Sequence, residues 1–290
     1  MLKHILVPVD GTPSDERALS AAFGLAQLFT GHVEVLHAQF DPRQNIRLIG
    51  EGFSAEMLDD VLVEAERAAR EAADRARRTF GAVVSKVGAD VAERLHEEGR
   101  VTASWREAVG RPGSVIGREG RFADLVLFAQ APEELSRRKV LEAALFDTGR
   151  PLLLASAAMV MDEFPSVAIG WDGSLPAVRA VGCAMPFLRR ATSVSILTVA
   201  EGMGDRAPVP AYATRLVDHL AWHGIDAVVQ AVRQQELSTG EALTAKAADL
   251  GAGLLVMGGY GHSRFREMIL GGATRHVLGT PLSCSVLLSH

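Results

Sequence analysis

The sequence contains very little cysteine, no long apolar run and no marked excess of charge of one sign. Only two of its 290 residues are cysteines, Cys183 and Cys284, which argues against a disulfide framework and is typical of a reducing compartment. The longest apolar run, PLLLASAAMVM from residue 151, falls short of the ~20 residues that a membrane-spanning helix needs. The net charge of −5 gives no general attraction to nucleic acid or to a membrane surface.

Several sequence signals of function are also missing. The N-terminal MLKHILVPVDG reaches polar and turn residues too early for a signal peptide, so we expect a cytoplasmic globular protein. There is no G-x-x-x-x-G-K-[ST] phosphate loop, and GRPGSVIG from residue 110 lacks the spacing of a dinucleotide fingerprint. His219 and His223 lie one helical turn apart, but no third metal ligand accompanies them. We therefore predict no metal site and no catalytic residue.

An internal repeat organises the chain. ILVPVDGTPSDERAL from residue 5 aligns without gaps with VAIGWDGSLPAVRAV from residue 167. Three further pairs follow in the same order: HVEVLHAQ (32–39) with SVSILTVA (193–200), ADLVLFAQ (123–130) with AGLLVMGG (252–259), and GRPLLLAS (149–156) with GTPLSCSVLL (279–288). Four matches in one order indicate a tandem duplication, with domains at 1–157 and 164–290.

Each half alternates short Val/Ile/Leu-rich runs with segments of helical period, the pattern of a parallel sheet covered by crossover helices. The strands are predicted near 3–9, 32–39, 100–107, 124–130, 151–156, 166–172, 193–200, 226–233, 253–258 and 283–288. The helices are predicted near 13–28, 55–80, 111–119, 133–145, 175–190, 209–223, 238–250 and 263–278, with Ser238 and Glu241 as a capping box. The predicted fold class is α/β: two tandem doubly wound, Rossmann-like domains, each with a five-stranded parallel sheet.

Two glycine clusters lie at the edge of the second predicted sheet where ligands bind in such folds. Gly258 and Gly261 follow a strand and can let backbone N–H groups approach an anion. Gly271 and Gly272 interrupt a helical pattern, so a new helix with a positive N-terminus would begin near Ala273. The alternative is that the first pair turns the chain and the second kinks a helix. These residues alone favour neither interpretation.

The spacing Gly258-x2-Gly261-x9-Gly271-Gly272, late in a domain that opens with strand, Asp-Gly-Thr/Ser and helix, resembles the ATP-binding pattern of the universal stress protein family. The likeness extends over both halves, so the chain is similar to a tandem member of that family. One position departs from the pattern, because Gly272 stands where the family has Ser or Thr. The missing hydroxyl donor weakens such a site by roughly 1 kcal/mol without abolishing it.

The resemblance implies a role for each matching residue of the second half. Asp172 would face the ribose, Gly170 would line the pocket, and Val199, after the second strand, would meet adenine through its backbone. The phosphates would be held from two sides. One side comprises Met257, Gly258 and Gly261, and the other comprises Gly271, Gly272 and Ala273. Arg264, Arg266, Arg275 and His276 make the region basic, which suits an anionic ligand.

The first half departs from the pattern. Pro132, Glu133 and Glu134 stand where the first phosphate loop belongs. Proline lacks the N–H donor, and two carboxylates repel phosphate. Asp10 remains, but without a phosphate cradle it is interpreted as a turn residue that caps a helix. We therefore predict that the first half is a structural partner with a degenerate site.

The resemblance implies a stress-response protein that binds ATP, ADP or AMP, with or without Mg²⁺, as a regulatory ligand in the second half. The alternatives are a scaffold that binds no nucleotide and, third, a slow ATPase. The final strands, PLLLAS and CSVLL, would be exposed apolar edges unless paired. In the family, domains pair through such strands, which implies an internal pseudo-dimer of the two halves and possible further association of two chains.

Overall fold

The computed structural model describes residues 2–39, 55–93, 99–131, 135–157, 159, 164–200, 210–234, 236–259 and 272–290. The strands of the first half are β1 (His4–Val9), β2 (His32–Gln39), β3 (Asp90–Val91), β4 (Thr102–Val109), β5 (Leu125–Ala129) and β6 (Leu152–Ala155). Its helices are α1 (Ser14–Phe29), α2 (Ala55–Val87), α3 (Pro112–Glu119) and α4 (Leu135–Asp147).

The second half repeats this alternation. Its strands are β7 (Ser166–Gly170), β8 (Ser193–Ala200), β9 (Ala227–Arg233), β10 (Leu254–Gly258) and β11 (Ser285–Ser289). Its helices are α5 (Leu175–Leu188), α6 (Ala211–Ala221), α7 (Thr239–Asp249) and α8 (Gly272–Gly279). None of the helices in the described ranges is long and apolar enough to cross a membrane.

The strands form a single sheet in the order β3-β4-β2-β1-β5-β6-β11-β10-β7-β8-β9. All pairs are parallel except β6 with β11, which is antiparallel and joins the two halves. The first strand of each half therefore lies inside its part of the sheet. Strand β1 has β2, β4 and β3 on one side and β5 and β6 on the other, and β7 has β8 and β9 on one side and β10 and β11 on the other. The fold class predicted from the periodicity is confirmed, and the two apolar final strands cover each other's edges.

Sequence and structure differ in three details. The structure adds the two-residue strand β3, too short to produce a periodic signal. Helix α2 continues to Val87, seven residues beyond the predicted end, because Val83 and Val84 extend its buried face. Of the helix predicted over 263–278, the described part begins at Gly272.

Both faces of the sheet are buried, as the apolar runs require. In β1, Ile5 and Val7 belong to one core and Leu6 to the other, and all three are at most 1% exposed. The capping box of α7 is confirmed: Ser238 Oγ accepts from the Glu241 N–H, and Glu241 Oε2 accepts from the Ser238 N–H at 2.8 Å. These exchanged bonds lower the pKa of the Glu241 carboxyl.

The seam between the halves contains specific polar and close apolar contacts. Buried Gln130 donates through Nε2 to the Cys284 carbonyl at 2.8 Å and accepts from the Leu282 N–H at 2.7 Å. Gly259, at the position that matches Gln130 in the repeat, approaches Leu145 of α4 so closely that a β-carbon there would lie 2.9 Å from Leu145 Cδ2. The repeated positions thus have different residues because each meets a different part of the opposite half.

Candidate functional site

The carboxyl end of β7 leads into a tight turn that carries Asp172. Its Oδ1 accepts a hydrogen bond from the Ser174 N–H at 2.9 Å, and Gly173 has a φ of +74°, a conformation that glycine adopts without strain. Ser174 then caps α5 by accepting from the Ala177 N–H. The turn leaves Asp172 exposed, so the carboxylate can meet a ligand at this edge of the sheet.

The first half contains the same turn. Asp10 Oδ1 accepts from the Thr12 N–H at 3.1 Å and from its hydroxyl at 2.7 Å, and Gly11 has a φ of +82°. The local role predicted for Asp10 is therefore present, but Asp172 has the same role. Turn formation alone accounts for an Asp-Gly pair in both halves, and the surroundings must distinguish them.

Gly258 ends β10 against the first turn of α5. A β-carbon at Gly258 would lie 2.6 Å from the Ala177 nitrogen and 3.0 Å from Pro176 Cβ, distances that no real side chain tolerates. Close packing therefore requires glycine at this position, whether or not a ligand binds. Because Ala177 follows the Asp172 turn, this contact also brings the ends of β7 and β10 together at one edge.

Gly170 and Met257 lie next to each other at the carboxyl ends of β7 and β10. The two residues are paired between β7 and β10, and a β-carbon at Gly170 would lie 3.4 Å from Met257 Cβ. Met257 also pairs with Leu288 of β11 and is 4% exposed. The backbone of Met257 therefore lies within the sheet, and Gly258, the last residue of β10, is the first one at the carboxyl edge of the sheet.

Val199 was predicted to follow the second strand, but the structure places it inside β8, paired with Val232 of β9. The Leu197 carbonyl accepts from the Trp171 N–H. Since backbone groups alternate sides along a strand, those of Val199 point in the same direction as those of Leu197, towards β7. Strand β7 has already ended at Gly170, so Val199 presents its backbone to the space above Asp172.

Helix α8 contains Gly272 and Ala273, which belong to the second side of the predicted phosphate contacts. Its described part begins at Gly272, which is exposed, and outside the helix itself no described atom lies within 4 Å of the position that a β-carbon would take there. The next residue, Ala273, packs on α7, where a β-carbon at Gly240 would lie 2.8 Å from Ala273 Cα. His276 is held by Thr244 Oγ1 at 3.2 Å, and Arg275 is exposed. A helix N-terminus with adjacent basic residues is suited to an anion.

Some predicted positions lie outside the described residues. These are Gly261 and Gly271 of the phosphate cradle, Arg264 and Arg266 of the basic segment, and Pro132, Glu133 and Glu134 of the first half.

Two aromatic residues not predicted from the sequence border the Asp172 turn. Tyr212, in the first turn of α6, lies with its ring 3.7 Å from the β-carbon position of Gly173. Trp171 donates through Nε1 to the Tyr212 carbonyl at 3.2 Å. The alignment could have drawn attention to Trp171, because it stands opposite Val9 in the repeat. Together they fix α6 beside the turn.

In the first half, α2 closes the matching turn. A β-carbon at Gly11 would overlap the Ala72 carbonyl oxygen and lie 2.9 Å from Ala72 Cα, so the helix backbone itself rests on the turn. Arg75 donates through Nε to the Gly11 carbonyl at 3.2 Å. Where the second half has the side chain of Tyr212, the first half has a helix, which leaves less room for a ligand.

Arginines occupy the end of β5, which corresponds to the end of β10. Arg137 donates to the Ala129 carbonyl and stacks over Phe128, and Arg17 donates to the Gln130 carbonyl at 3.3 Å. These contacts use the strand-end carbonyls and fill the position where a glycine loop would begin.

Asp15 is a buried carboxyl that we did not predict. It is 3% exposed and accepts from the Gly11 N–H at 2.8 Å. Burial, with the nearby charge of Asp10, raises the pKa of Asp15 to about 7. The second half has Ala177 at this position, so the repeat alignment contained the only signal of the difference. A carboxyl beneath the first turn makes that site still less suited to phosphate.

No group of three or more His, Cys, Asp or Glu side chains arranged to hold a metal ion is found in the described part of the chain. His219 and His223 lie with ring centroids 5.1 Å apart, and Arg189 contacts His223 Nδ1 at 3.4 Å. A cationic guanidinium at that nitrogen is unfavourable for a second cation.

Comparisons with known proteins agree with this architecture. Residues 1–119 match the model of the universal stress protein family. A universal stress protein from Archaeoglobus fulgidus DSM 4304 is similar in structure, with a TM-score of 0.69 at 18% identity over 99% of this chain and 95% of that one. A putative universal stress protein from Pseudomonas aeruginosa UCBPP-PA14 gives a TM-score of 0.52 at 15% identity, over 99% and 93% of the two chains.

At these identities the structural matches show the fold alone. No curated protein matches the chain by sequence. The family model matches residues 1–119, and along both halves the chain has the fold of solved universal stress proteins.

Proposed function

We propose that the second half binds one adenine nucleotide, ATP, ADP or AMP, as a regulatory ligand, with Mg²⁺ accompanying the phosphates of ATP. We also propose that residues 1–157 and 164–290 are the two domain units and that only the second is a binding unit. The observation that carries this proposal is that the described atoms nearest the β-carbon position of Gly173, in the Asp172 turn, belong to a side chain, that of Tyr212 at 3.7 Å. The equivalent turn of the first half lies beneath α2.

The residues present are chemically suited to a nucleotide. The exposed Asp172 carboxylate can accept hydrogen bonds from ribose hydroxyls. The Val199 backbone, which points into the same space, can pair with a polar edge of adenine. At the other end of the ligand, the first turn of α8 at Gly272 would offer backbone N–H groups to phosphate. We assign Gly261 and Gly271 to the same phosphate contacts on the basis of their spacing.

Calorimetric titration of the nucleotide-stripped protein with ATP–Mg²⁺ tests the proposal. We expect binding at one equivalent per chain. Two equivalents would contradict the assignment of the first half as a structural partner, and no heat together with no thermal stabilisation at millimolar ATP would contradict nucleotide binding altogether.

Replacement of Asp172 has a matched control in the first half. We expect Asp172→Ala to weaken ATP binding at least about tenfold, since it removes a charge-assisted hydrogen bond to the ribose. Asp10→Ala removes the same kind of turn contact and should leave the dissociation constant unchanged. Equal effects of the two substitutions on the calorimetric affinity would show that the turn, rather than a ribose contact, is responsible.

Replacement of Gly272 should strengthen the site. Because space around its β-carbon position is open, Gly272→Ser can be accommodated and restores the hydroxyl that the family pattern has there. We expect ATP to bind about three- to tenfold more tightly, the effect of one added hydrogen bond of about 1 kcal/mol. Gly272→Ala is the control for helix propensity. If alanine tightens binding as much as serine, measured by the same titration, the hydroxyl is not the cause.

A scaffold that binds no nucleotide is the second candidate. It is favoured by the packing at Gly258 and Gly259, where close contacts with α5 and Leu145 require glycine without any ligand. In that case, the titration above gives no heat and ATP does not raise the melting temperature.

A further inference from the structure

Strand β9 is the last strand of the sheet at the end formed by the second half. It pairs with β8 on one side, and among the described residues no strand pairs with its other side. Val228 is 64% exposed, and Ala231 and Arg233 are also exposed. A seven-residue, largely apolar strand whose outer side is paired with no described strand is a template for pairing with another strand.

The opposite end of the sheet shows how the same position is protected. There β3 pairs with β4 at Thr102 and Ala103. Strand β4 pairs with β2 in the way that β9 pairs with β8, so these two residues correspond to positions 226 and 227 of the second half. Strand β3 has only two residues, and Arg100 lies 3.3 Å from Asp90. Short edge strands and charges reduce association between edges, so this end is blunted and β9 is not.

The sequence of β9, AVVQAVR, contains no proline or lysine that would discourage pairing. It also suits antiparallel pairing with a second copy of itself. With Gln230 opposite Gln230 of the partner subunit, Val228 faces the partner's Val232 on one side of the sheet. Aligned apolar and amide pairs of this kind stabilise antiparallel strands.

Charge and shape at the start of β9 fit the same arrangement. In this register the partner's Arg233 lies opposite Ala227, next to Asp226. A cavity of about 400 Å³ opens there, lined by Ser193, Val217, Ile225 and Asp226 among others. An arginine entering it would place its aliphatic stem on the apolar wall and its guanidinium near the Asp226 carboxylate.

We propose that two copies of this chain associate through β9, edge to edge and antiparallel, about a two-fold axis at Gln230. The molecule already uses this mode of joining once, since its two halves meet through the antiparallel pair β6–β11. The occupant of the open edge is thus a second copy of the same strand, and the sheet continues across both chains.

Light scattering coupled to size exclusion, over a range of micromolar concentrations, tests the proposal on the full chain. We expect the mass to approach twice 30.9 kDa as concentration rises. Val228→Lys places a like charge on both sides of the axis and should weaken the dimer about tenfold or more. Val91→Lys is the matched control at the other end of the sheet, since Val91 is 68% exposed, and it should leave the dimer intact.

A second measurement identifies the register. Gln230→Cys, in a Cys183→Ser background, should form a disulfide between two copies under mild oxidation, since residues on a two-fold axis meet each other. Val91→Cys in the same background should not. A monomer at all concentrations would overturn the proposal and leave the edge to a strand of another protein. A dimer that survives Val228→Lys and does not cross-link at position 230 would also overturn it, since association would then use another surface.

Discussion

Gly11→Ala is expected to destabilise the chain by about 3 kcal/mol or more, whereas Gly173→Ala, at the matching position, should cost about 1–2 kcal/mol. Both glycines have a positive φ, +82° and +74°, so both alanines introduce backbone strain. At Gly11 the new β-carbon also overlaps the Ala72 carbonyl of α2, whereas at Gly173 the nearest atoms are those of Tyr212 at 3.7 Å.

Urea unfolding of the two variants, with the parent protein measured alongside, provides the comparison. A larger loss for Gly11→Ala would show that α2 rests on the first turn in solution. Equal losses would mean that strain alone operates and that α2 leaves the first site open. The assignment of a single nucleotide site would then lose its structural support.

The second large effect is a pH dependence from Asp15. Its pKa is raised to about 7 in the folded chain, first by burial and then by the charge of Asp10. Below about pH 4 both the folded and unfolded states bind the proton, and the group imposes no penalty. As pH rises from about 4 to 7, the unfolded chain releases the proton first. The free energy of unfolding therefore falls across this window, by up to about 4 kcal/mol, and then levels off.

Asp15→Asn removes this titration and keeps one oxygen to accept from the Gly11 N–H. We expect the variant to lose less stability than the parent between pH 4.5 and 7.5, as measured by urea unfolding at each pH. Glu16→Gln is the control, because Glu16 is the exposed neighbour in the same helical turn. If the parent and Asp15→Asn have the same pH profile, the carboxyl is not buried in its neutral form.

The two halves of the chain differ in what surrounds their Asp-Gly turns. Two turns of nearly the same geometry, at Asp10 and Asp172, are placed in different surroundings by the elements that follow them. In the first half the long helix α2, arginines at the end of β5 and the Asp15 carboxyl fill the space. In the second half, the described atoms nearest the β-carbon position of Gly173 belong to the Tyr212 side chain of α6. Duplication followed by filling of one site accounts for a single proposed ligand per chain.

Much of the fold could be predicted from the sequence because its signals are local. Runs such as LLVM at 254–257 are buried on both faces, and capping by Ser238 depends on residues three positions apart. Strand bounds were accordingly close to those observed. The short strand β3 was not predicted, because two residues cannot show a period.

The candidate site was less predictable. The Asp-Gly turns and the glycine spacing were visible, but the reason for glycine at Gly258 was not, because it lies in contact with Ala177, which is distant in the chain. Val199 was assigned a contact after the second strand, although it lies inside the strand predicted over 193–200, whose bounds the structure confirms. Tyr212 gave no signal, because no periodicity links it to Gly173.

The sequence by itself determined the repeat, the alternation of strands and helices, and the Asp-Gly turn at the end of the first strand of each half. These features depend on periodicity and on hydrogen bonds between residues two or three positions apart. Only the tertiary structure decided that α2 closes the first turn, that β6 and β11 join the halves, and that no described strand pairs with the outer side of β9. Each of these depends on which distant segments meet, and the free energy of such contacts comes from burial and close packing that no local pattern encodes.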